Sequence, residues 1–270
     1  MIAPMYWIYD IPNWQLCLLM MGSFAGVAVS GFYLTRPLVR RVVNGSGKHN
    51  DITSYYIAGV GVLYGLTLGL IAVGTWQNFN DADSKVSKEA NSLGGLYRDL
   101  DGYPPGLRLE AENMLRDYVQ VVIAKEWPAH RQGNVLDAGD LILEELENKI
   151  MAFEPTTETR KIAHTEVIRG LTEVVQNRGF RMQSVNTALP SVLWTVVLMG
   201  AVLNIALTYL FWVENTLLHA LLIAAFACTL AMLIFLTAAM DNPYRGEFSV
   251  TTDAYQYVLD HVMTSTSQHH

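Results

Sequence analysis

The sequence predicts an all-α membrane protein with four transmembrane helices, arranged as two pairs around a helical extramembrane insert. Four apolar stretches without Lys, Arg, Asp or Glu predict the spans; they cover residues 16–34, 56–76, 192–212 and 217–240. Each stretch has about the 20 residues needed to cross a hydrocarbon core as a helix. A single helix satisfies its own backbone hydrogen bonds in lipid. The polar residues between the two pairs repeat apolar positions three and four apart, which is typical of helices.

The two pairs differ in the segments that join their helices. A polar loop, 35–55, joins the first two stretches and carries the basic residues Arg36, Arg40, Arg41 and Lys48. Only residues 213–216 join the last two, and so short a connection predicts an antiparallel hairpin. The first stretch lacks a preceding basic region and a following small-residue cleavage site. We therefore expect a spanning helix there rather than a signal peptide.

The insert is predicted to be helical throughout. Apolar residues from Phe79 to Leu100 recur on one helix face, so we expect the first insert helix to continue the second span. Pro128 is expected to stop the next helix, because a residue that precedes proline is disfavoured in the helical region. A further helix covers about 139–153, and the last is expected to lead into the third span. The predicted domains are the first helix pair with its loop (14–76), the helical cytoplasmic domain (77–188), the helical hairpin (189–240) and a C-terminal tail (241–270).

The second span has two distinct faces. One face carries small residues at four-residue spacing, which lets helices approach closely in lipid; these predicted packing residues are Gly61, Gly65 and Gly69. The other face is mildly polar and would turn toward the axis of a ring of subunits, where side chains select and gate ions. Its predicted pore-lining residues are Val60, Tyr64, Thr67, Ile71 and Asn78.

A second interpretation of these residues is open on sequence alone. The glycines would then serve packing within one chain, and the hydroxyl groups would bond to their own helix backbone. Asp81 and Asp83 follow the second span and would attract cations to a pore mouth, although Lys85 and Lys88 would largely offset them. Asn204, in the third span, is expected to hydrogen-bond a neighbouring helix.

The sequence contains no convincing site for catalysis, metal or cofactor. Its histidines are scattered without ligand spacing, so we expect no metal site. Residues 44–48 lack the complete spacing of a phosphate-binding loop and follow a membrane helix rather than a strand. The insert is net acidic, and no basic cluster indicates a nucleic-acid partner. Cys17 and Cys228 lie inside spans and predict no disulfide framework.

The most specific motifs of the chain are Glu126-Trp127-Pro128 and the Asp-x-Pro-Tyr-x-Gly pattern that begins at Asp241. In their order and setting they resemble the bacterial bestrophin-like domain family, which is distantly similar to bestrophins. The resemblance covers nearly the whole chain from the second span to the tail, through residues 63–69, 76–79, 89–93, 96–98, 118–119, 126–128 and 240–246.

Bestrophins are pentameric ion channels with four membrane helices and a cytoplasmic helical region. The resemblance therefore implies an oligomeric channel with the insert in the cytoplasm and the second span lining the pore. Bestrophins also carry an aromatic and aliphatic neck on that span and an acidic calcium-binding cluster after the fourth. Here the second span has Tyr64, Thr67 and Ile71 among glycines in place of such a neck, so the permeating ion is unassigned. Only Asp241 follows the fourth span in place of the acidic cluster, so calcium activation is not expected.

The predicted function is a homo-oligomeric, pentameric ion channel of the bacterial inner membrane. Its expected partners are the lipid bilayer, other copies of the chain and the permeating ions. The alternative is a structural or energy-coupling scaffold, similar to stator subunits, that acts with a partner protein. Because the four stretches contain no acid, proton coupling by such a scaffold would need an intramembrane acid on the partner. The basic residues near the span ends do not decide the orientation.

Overall fold

The computed structural model describes residues 6–42 and 47–264. Within these ranges every regular element is helical, and the chain folds as a four-span membrane protein with a helical insert. Short 3-10 helices cover Tyr6–Asp10 and Leu100–Gly102, and a π-helical turn covers Val122–Glu126. The α-helices are α1 (Asn13–Val42), α2 (Gly47–Asp99), α3 (Pro105–Val121), α4 (Trp127–Arg131), α5 (Ala138–Met151), α6 (Glu158–Ser184), α7 (Ser191–Thr208), α8 (Thr216–Met240) and α9 (Asp253–His261).

One compact unit, the membrane unit, contains α1, α2 up to Gln77, α7 and α8. These four helices are long and apolar enough to cross a membrane, as predicted. Small and aromatic residues pack α1 on α8, where Ala28 and Phe32 meet Ala220, Ile223 and Ala227. Much of the remaining apolar surface faces outward, which suits a unit surrounded by lipid.

The second compact unit, the helical unit, contains α2 from Asn78 onward, α3 to α6 and α9. Its core is built from apolar side chains that include Leu93, Leu100, Leu115 and Val174, all fully buried. α2 runs without interruption to Asp99, which confirms that the second span continues into the insert. The third span is different: α6 ends at Ser184 and α7 begins at Ser191, directly after Pro190. The last insert helix therefore leads into the third span, as predicted, but residues 185–190 separate the two helices.

Pro128 does not stop its helix. The chain passes from α3 through the π-helical turn Val122–Glu126 and continues as α4, with Pro128 near the first residue of that helix. In a regular α-helix the proline ring clashes with the carbonyl four residues earlier, and here the wider π turn lies directly before Pro128. The wider π turn places Glu126 inside the unit, where it is fully buried.

The C-terminal segment contains a helix that the sequence did not predict. α9 buries Tyr255 and Val258 in the core of the helical unit. Residues 242–245 also belong to this unit, and the Arg245 side chain lies against Gly133. Gly133 has a φ of 78°, a backbone conformation that residues with a Cβ rarely adopt.

Candidate functional site

The buried side of α2 in the membrane unit includes two of the predicted pore residues. Tyr64 and Ile71 pack with Leu68 against residues of α7 and α8. The Tyr64 hydroxyl donates a hydrogen bond of 2.9 Å to the carbonyl oxygen of Val197. Its ring lies directly on Gly200, where any Cβ atom would collide with it. Tyr64 and Ile71 therefore face α7 and α8 of the same chain, and their assignment to a pore axis stays a prediction.

The physical reason is that the helical repeat groups residues on one face without saying what that face meets. Here a carbonyl of α7 accepts the Tyr64 hydroxyl, and the glycine at 200 leaves space for the ring. Among the other predicted pore residues, Val60 and Asn78 are half-buried, and Asn78 belongs to the helical unit. Thr67 is exposed, and its hydroxyl donates to the carbonyl of Leu63 at 2.8 Å. That bond is the one expected from the second interpretation of these residues.

The predicted glycine ladder is divided between two environments. A Cβ at Gly61 would lie 3.8 Å from the Asn204 side-chain oxygen of α7, so this glycine faces its own chain. Gly65 and Gly69 have no other described atom within 4 Å of the equivalent position. Each four-residue step turns a helix by about 40°, which rotates the ladder from α7 toward the outside. Only Gly65 and Gly69 are thus open for close approach by another helix.

Asn204 does not form the expected bond to a neighbouring helix. Its amide nitrogen donates to the carbonyl of Gly200 in the same helix at 2.8 Å. Its buried oxygen points toward Gly61 and has no hydrogen-bond partner in the described part of the chain. The approach of α2 to α7 at this glycine is what encloses the amide oxygen.

The outward side of α2 is apolar and wide. Val62, Leu66 and Val73 are each at least half exposed. At about 100° per residue they lie on the side opposite Tyr64, Leu68 and Ile71. Gly65 flanks this outward face on one edge, while Leu63 and Thr67 flank it on the other. In a ring of identical chains, a helix beside the axis would turn toward it the face opposite its buried one.

Polar residues beyond the span are placed as follows. Asp81 and Asp83, the predicted pore-mouth residues, are both exposed in the helical unit. In the membrane unit, Asp241 is almost fully buried and accepts hydrogen bonds from the Leu189 amide at 2.6 Å and the Trp194 indole at 3.0 Å. Burial raises the pKa of Asp241, although both hydrogen bonds oppose that rise. Across residues 6–42 and 47–264, no group of three or more His, Cys, Asp or Glu could hold a metal ion.

A buried network of charges in the helical unit was not predicted. Glu89 on α2 receives the Arg181 guanidinium at 2.6 Å. Glu126 in the π turn receives Arg178 at 2.8 Å and Arg181 at 3.0 Å, and it also accepts the Gly139 amide at 2.9 Å. These four charged side chains are at most 3% exposed and balance one another, two acids against two bases. The network joins α2, the π turn, α5 and α6 within this unit.

The surroundings of the network move several pKa values. Burial by itself would raise the pKa of Glu126, but the hydrogen bond from Arg178 and the charges of both arginines hold it below the usual range. Burial lowers the pKa of His130 to about 4, and the adjacent Arg181 adds to this effect. Burial also raises the pKa of Tyr118 strongly. At neutral pH Glu126 and the two arginines are therefore charged, and the adjacent His130 is neutral.

The sequence did contain a signal for this network. Glu89 occupies a place in the apolar stripe of α2, between Val86 and Leu93. Arg178 and Arg181 continue the buried stripe of α6, four and seven residues beyond Val174. A charge inside an apolar stripe indicates a buried partner of opposite charge, since unpaired buried charges are very costly.

Comparisons with known proteins identify the fold. A model of the bestrophin-like domain matches residues 22–255. The chain is similar to the crystal structure of a variant of a bacterial bestrophin homologue from Klebsiella pneumoniae, with 13% identity, a TM-score of 0.68 and coverage of 93% of this chain and 98% of that one. It is also similar to a structure of a bacterial bestrophin homologue from the same organism solved by zinc phasing, with 13% identity, a TM-score of 0.66 and coverage of 92% and 96%. No curated protein matches the sequence.

Proposed function

We propose, from the premise that this chain belongs to the bestrophin-like domain family, that it forms a homo-oligomeric ion channel in the bacterial inner membrane. The assembly is a pentamer, as in bestrophins, and α2 lines its pore. The observation that carries this proposal is the outward face of α2, which is apolar and lies opposite the helix's buried side. Arranged around an axis, this face would form an apolar constriction, and such a constriction gates a pore by excluding water.

The burial pattern selects the residues proposed to face the axis. They are Val62, Leu66 and Val73, in place of Tyr64 and Ile71, which the chain's own helices enclose. Gly65 and Gly69 are proposed to receive a helix of the neighbouring copy, because a glycine surface permits close approach. Asp81 and Asp83 remain proposed mouth residues, as both are exposed just beyond the span.

Flux through purified protein in liposomes tests the channel. Replacing Leu66 by Asn should increase conductance severalfold, because a polar side chain hydrates an apolar constriction. The matched control is Leu222→Asn on α8, a similarly exposed apolar position that is not on α2. Equal effects of the two variants would contradict the pore assignment.

The oligomeric state is tested by particle imaging of the purified protein. A ring of copies with an open axis is expected. A monomer, or a ring closed by lipid and without flux, would refute the channel. A stoichiometric single-span partner that carries an intramembrane acid would instead favour the scaffold function.

We also propose that the helical unit and both termini lie in the cytoplasm. Asn134 is exposed in the turn after α4, so a cysteine at this position reports the side of the membrane on which the turn lies. It should resist impermeant thiol reagents in intact cells, while a cysteine at Ser46 in the opposite loop should react. Ser46 itself lies outside the described residues. The reverse labelling pattern would invert the topology.

A further inference from the structure

Two arginines line a cleft at one end of the membrane unit. Arg36 and Arg40 lie one helical turn apart near the end of α1, and the cleft between α1 and the α7–α8 connection exposes both. Aromatic side chains form much of the remaining wall, namely Phe32, Tyr209, Phe211 and Trp212. Aromatic rings of this kind concentrate at the level of lipid headgroups.

Neither arginine has a carboxylate partner within the described residues. The Arg36 guanidinium donates to the Thr216 hydroxyl, and its carbon lies 5.7 Å from the centre of the Phe32 ring. The Arg40 guanidinium lies 5.8 Å from the centre of the Trp212 ring. Stacking on a ring uses the face of a guanidinium and leaves N–H donors along its edge. The cleft thus holds two positive charges with donors still available.

The positive charge of the cleft comes from its arginines. α8 begins close by at Thr216, whose hydroxyl accepts from Arg36, but the Asn215 side chain already accepts from the first free amides of that helix, those of Leu217 and Leu218. The nearby acid, Glu214, is exposed and forms no ion pair within the described part of the chain. An anion in the cleft would meet two arginines that form no ion pair within the described residues.

We propose that this cleft binds a phosphate-bearing anion, supplied by the headgroup of an anionic phospholipid. Guanidinium groups match the oxygens of phosphate with paired N–H donors. Basic pockets between transmembrane helices bind such headgroups. A zwitterionic headgroup adds a positive amine beside the two arginines and binds less well. This site is independent of the channel proposal, because it requires only the described membrane unit.

Native mass spectrometry of the full chain in detergent tests the site. The probes are phosphatidylglycerol and phosphatidylcholine with identical acyl chains. The wild-type protein should retain phosphatidylglycerol about tenfold better or more, as expected for two arginines near an anionic headgroup. The double variant Arg36→Gln, Arg40→Gln should lose this preference. The single variant Arg40→Gln should lose part of the preference for phosphatidylglycerol. It keeps the Arg36 bond to Thr216, so it tests the site even if the double variant fails to fold.

The control is Arg41→Gln, which removes the same charge from an exposed residue outside the cleft. It should leave the preference unchanged. Millimolar glycerol 3-phosphate, added as a competitor, separates the two sources of phosphate. If glycerol 3-phosphate displaces the lipid, the cleft recognises the phosphate group alone. If the lipid stays bound, the cleft recognises the whole lipid. Both results support the site. Equal retention of the two lipids by wild type, or an equal loss in Arg41→Gln, would overturn it.

Discussion

The membrane unit and the helical unit distribute their polar groups in opposite ways. In the membrane unit, most buried hydroxyl and amide groups bond to single backbone carbonyls, as Tyr64 does to Val197 and Asn204 to Gly200. In the helical unit, two acids and two arginines are buried together and satisfy one another. Lipid surrounds the first unit, so its apolar residues need not be hidden. Water surrounds the second, so it hides both its apolar residues and a charge network that joins several helices.

Removal of one buried polar group should therefore cost much more stability in the helical unit than in the membrane unit. Loss of one member of a buried charge network leaves an opposite charge unpaired, which is very costly. Loss of a single hydroxyl in the membrane unit removes one modest hydrogen bond. In the membrane unit, the more sensitive positions should be those where helices approach closely, because close contact supplies the association energy.

The largest effect is expected for Arg181→Met. This change removes the cation shared by Glu89 and Glu126 and should destabilise the helical unit by about 3–5 kcal/mol. Thermal unfolding of the detergent-solubilised full chain measures it. The control Arg169→Met breaks an exposed ion pair with Glu166 and should cost at most about 1 kcal/mol. Similar losses in both variants would show that the buried network does not dominate the stability of this unit.

The next effect is the pH dependence that arises from His130. Arg181 donates to its Nδ1 at 3.4 Å, a bond that needs the neutral ring. The pKa of His130 is about 4 in the folded chain and about 6.5 in the unfolded chain. Between these values the unfolded chain binds more protons, so stability is complete above pH 6.5 and is lost as the pH falls toward 4. The loss reaches up to about 3 kcal/mol, at about 1.4 kcal/mol per pKa unit.

The matched variant for this effect is His130→Gln, whose amide oxygen can still accept from Arg181. Melting temperatures between pH 7 and pH 4.5 should decline less steeply for the variant than for wild type. Because the carboxylates titrate in both proteins, the difference between the two curves isolates the histidine. Parallel curves would mean that His130 does not carry the acid sensitivity.

In the membrane unit, the largest expected effect is on assembly. Gly65→Leu fills a position that is open in the single chain, so it should block the approach of a second copy and shift most of the protein to smaller species. Thr67→Ser keeps the hydroxyl that bonds to Leu63 and should assemble normally. Size-exclusion chromatography with light scattering distinguishes these outcomes. Normal assembly of Gly65→Leu would show that this edge of α2 is not an interface.

The smallest effect is expected for Tyr64→Phe. It removes the hydrogen bond to Val197 and leaves the ring on Gly200, so it should cost about 0.6 kcal/mol, typical of hydrogen bonds between membrane helices. Tyr33→Phe on α1 is the control, because this tyrosine is exposed. The melting temperatures of the two variants should differ by only a few degrees. If Tyr64→Phe lost as much stability as Arg181→Met, the proposed difference between the two units would be wrong.

The sequence by itself determined the four spans, their arrangement in two pairs and the helical nature of the insert. These features follow from apolar length and from helical periodicity, which are local properties of the chain. Motif resemblance also pointed to the bestrophin-like family, which the family model matches across residues 22–255. Glu89, Tyr118, Glu126 and Tyr244, all within those motifs, lie in or beside the buried network of the helical unit.

Only the tertiary structure decided which side of each helix meets its own chain. The helical repeat placed Tyr64 and Ile71 on one face of α2 but did not say what that face contacts. In the structure it packs against α7, because the Val197 carbonyl accepts the Tyr64 hydroxyl and Gly200 leaves space for the ring. The partners Glu89 and Arg181 are separated by 92 residues, so no local pattern could pair them. Pro128 continued a helix because a π turn precedes it. Periodicity fixes a residue's angle around its own helix, whereas the direction of that angle depends on contacts between segments distant in the chain.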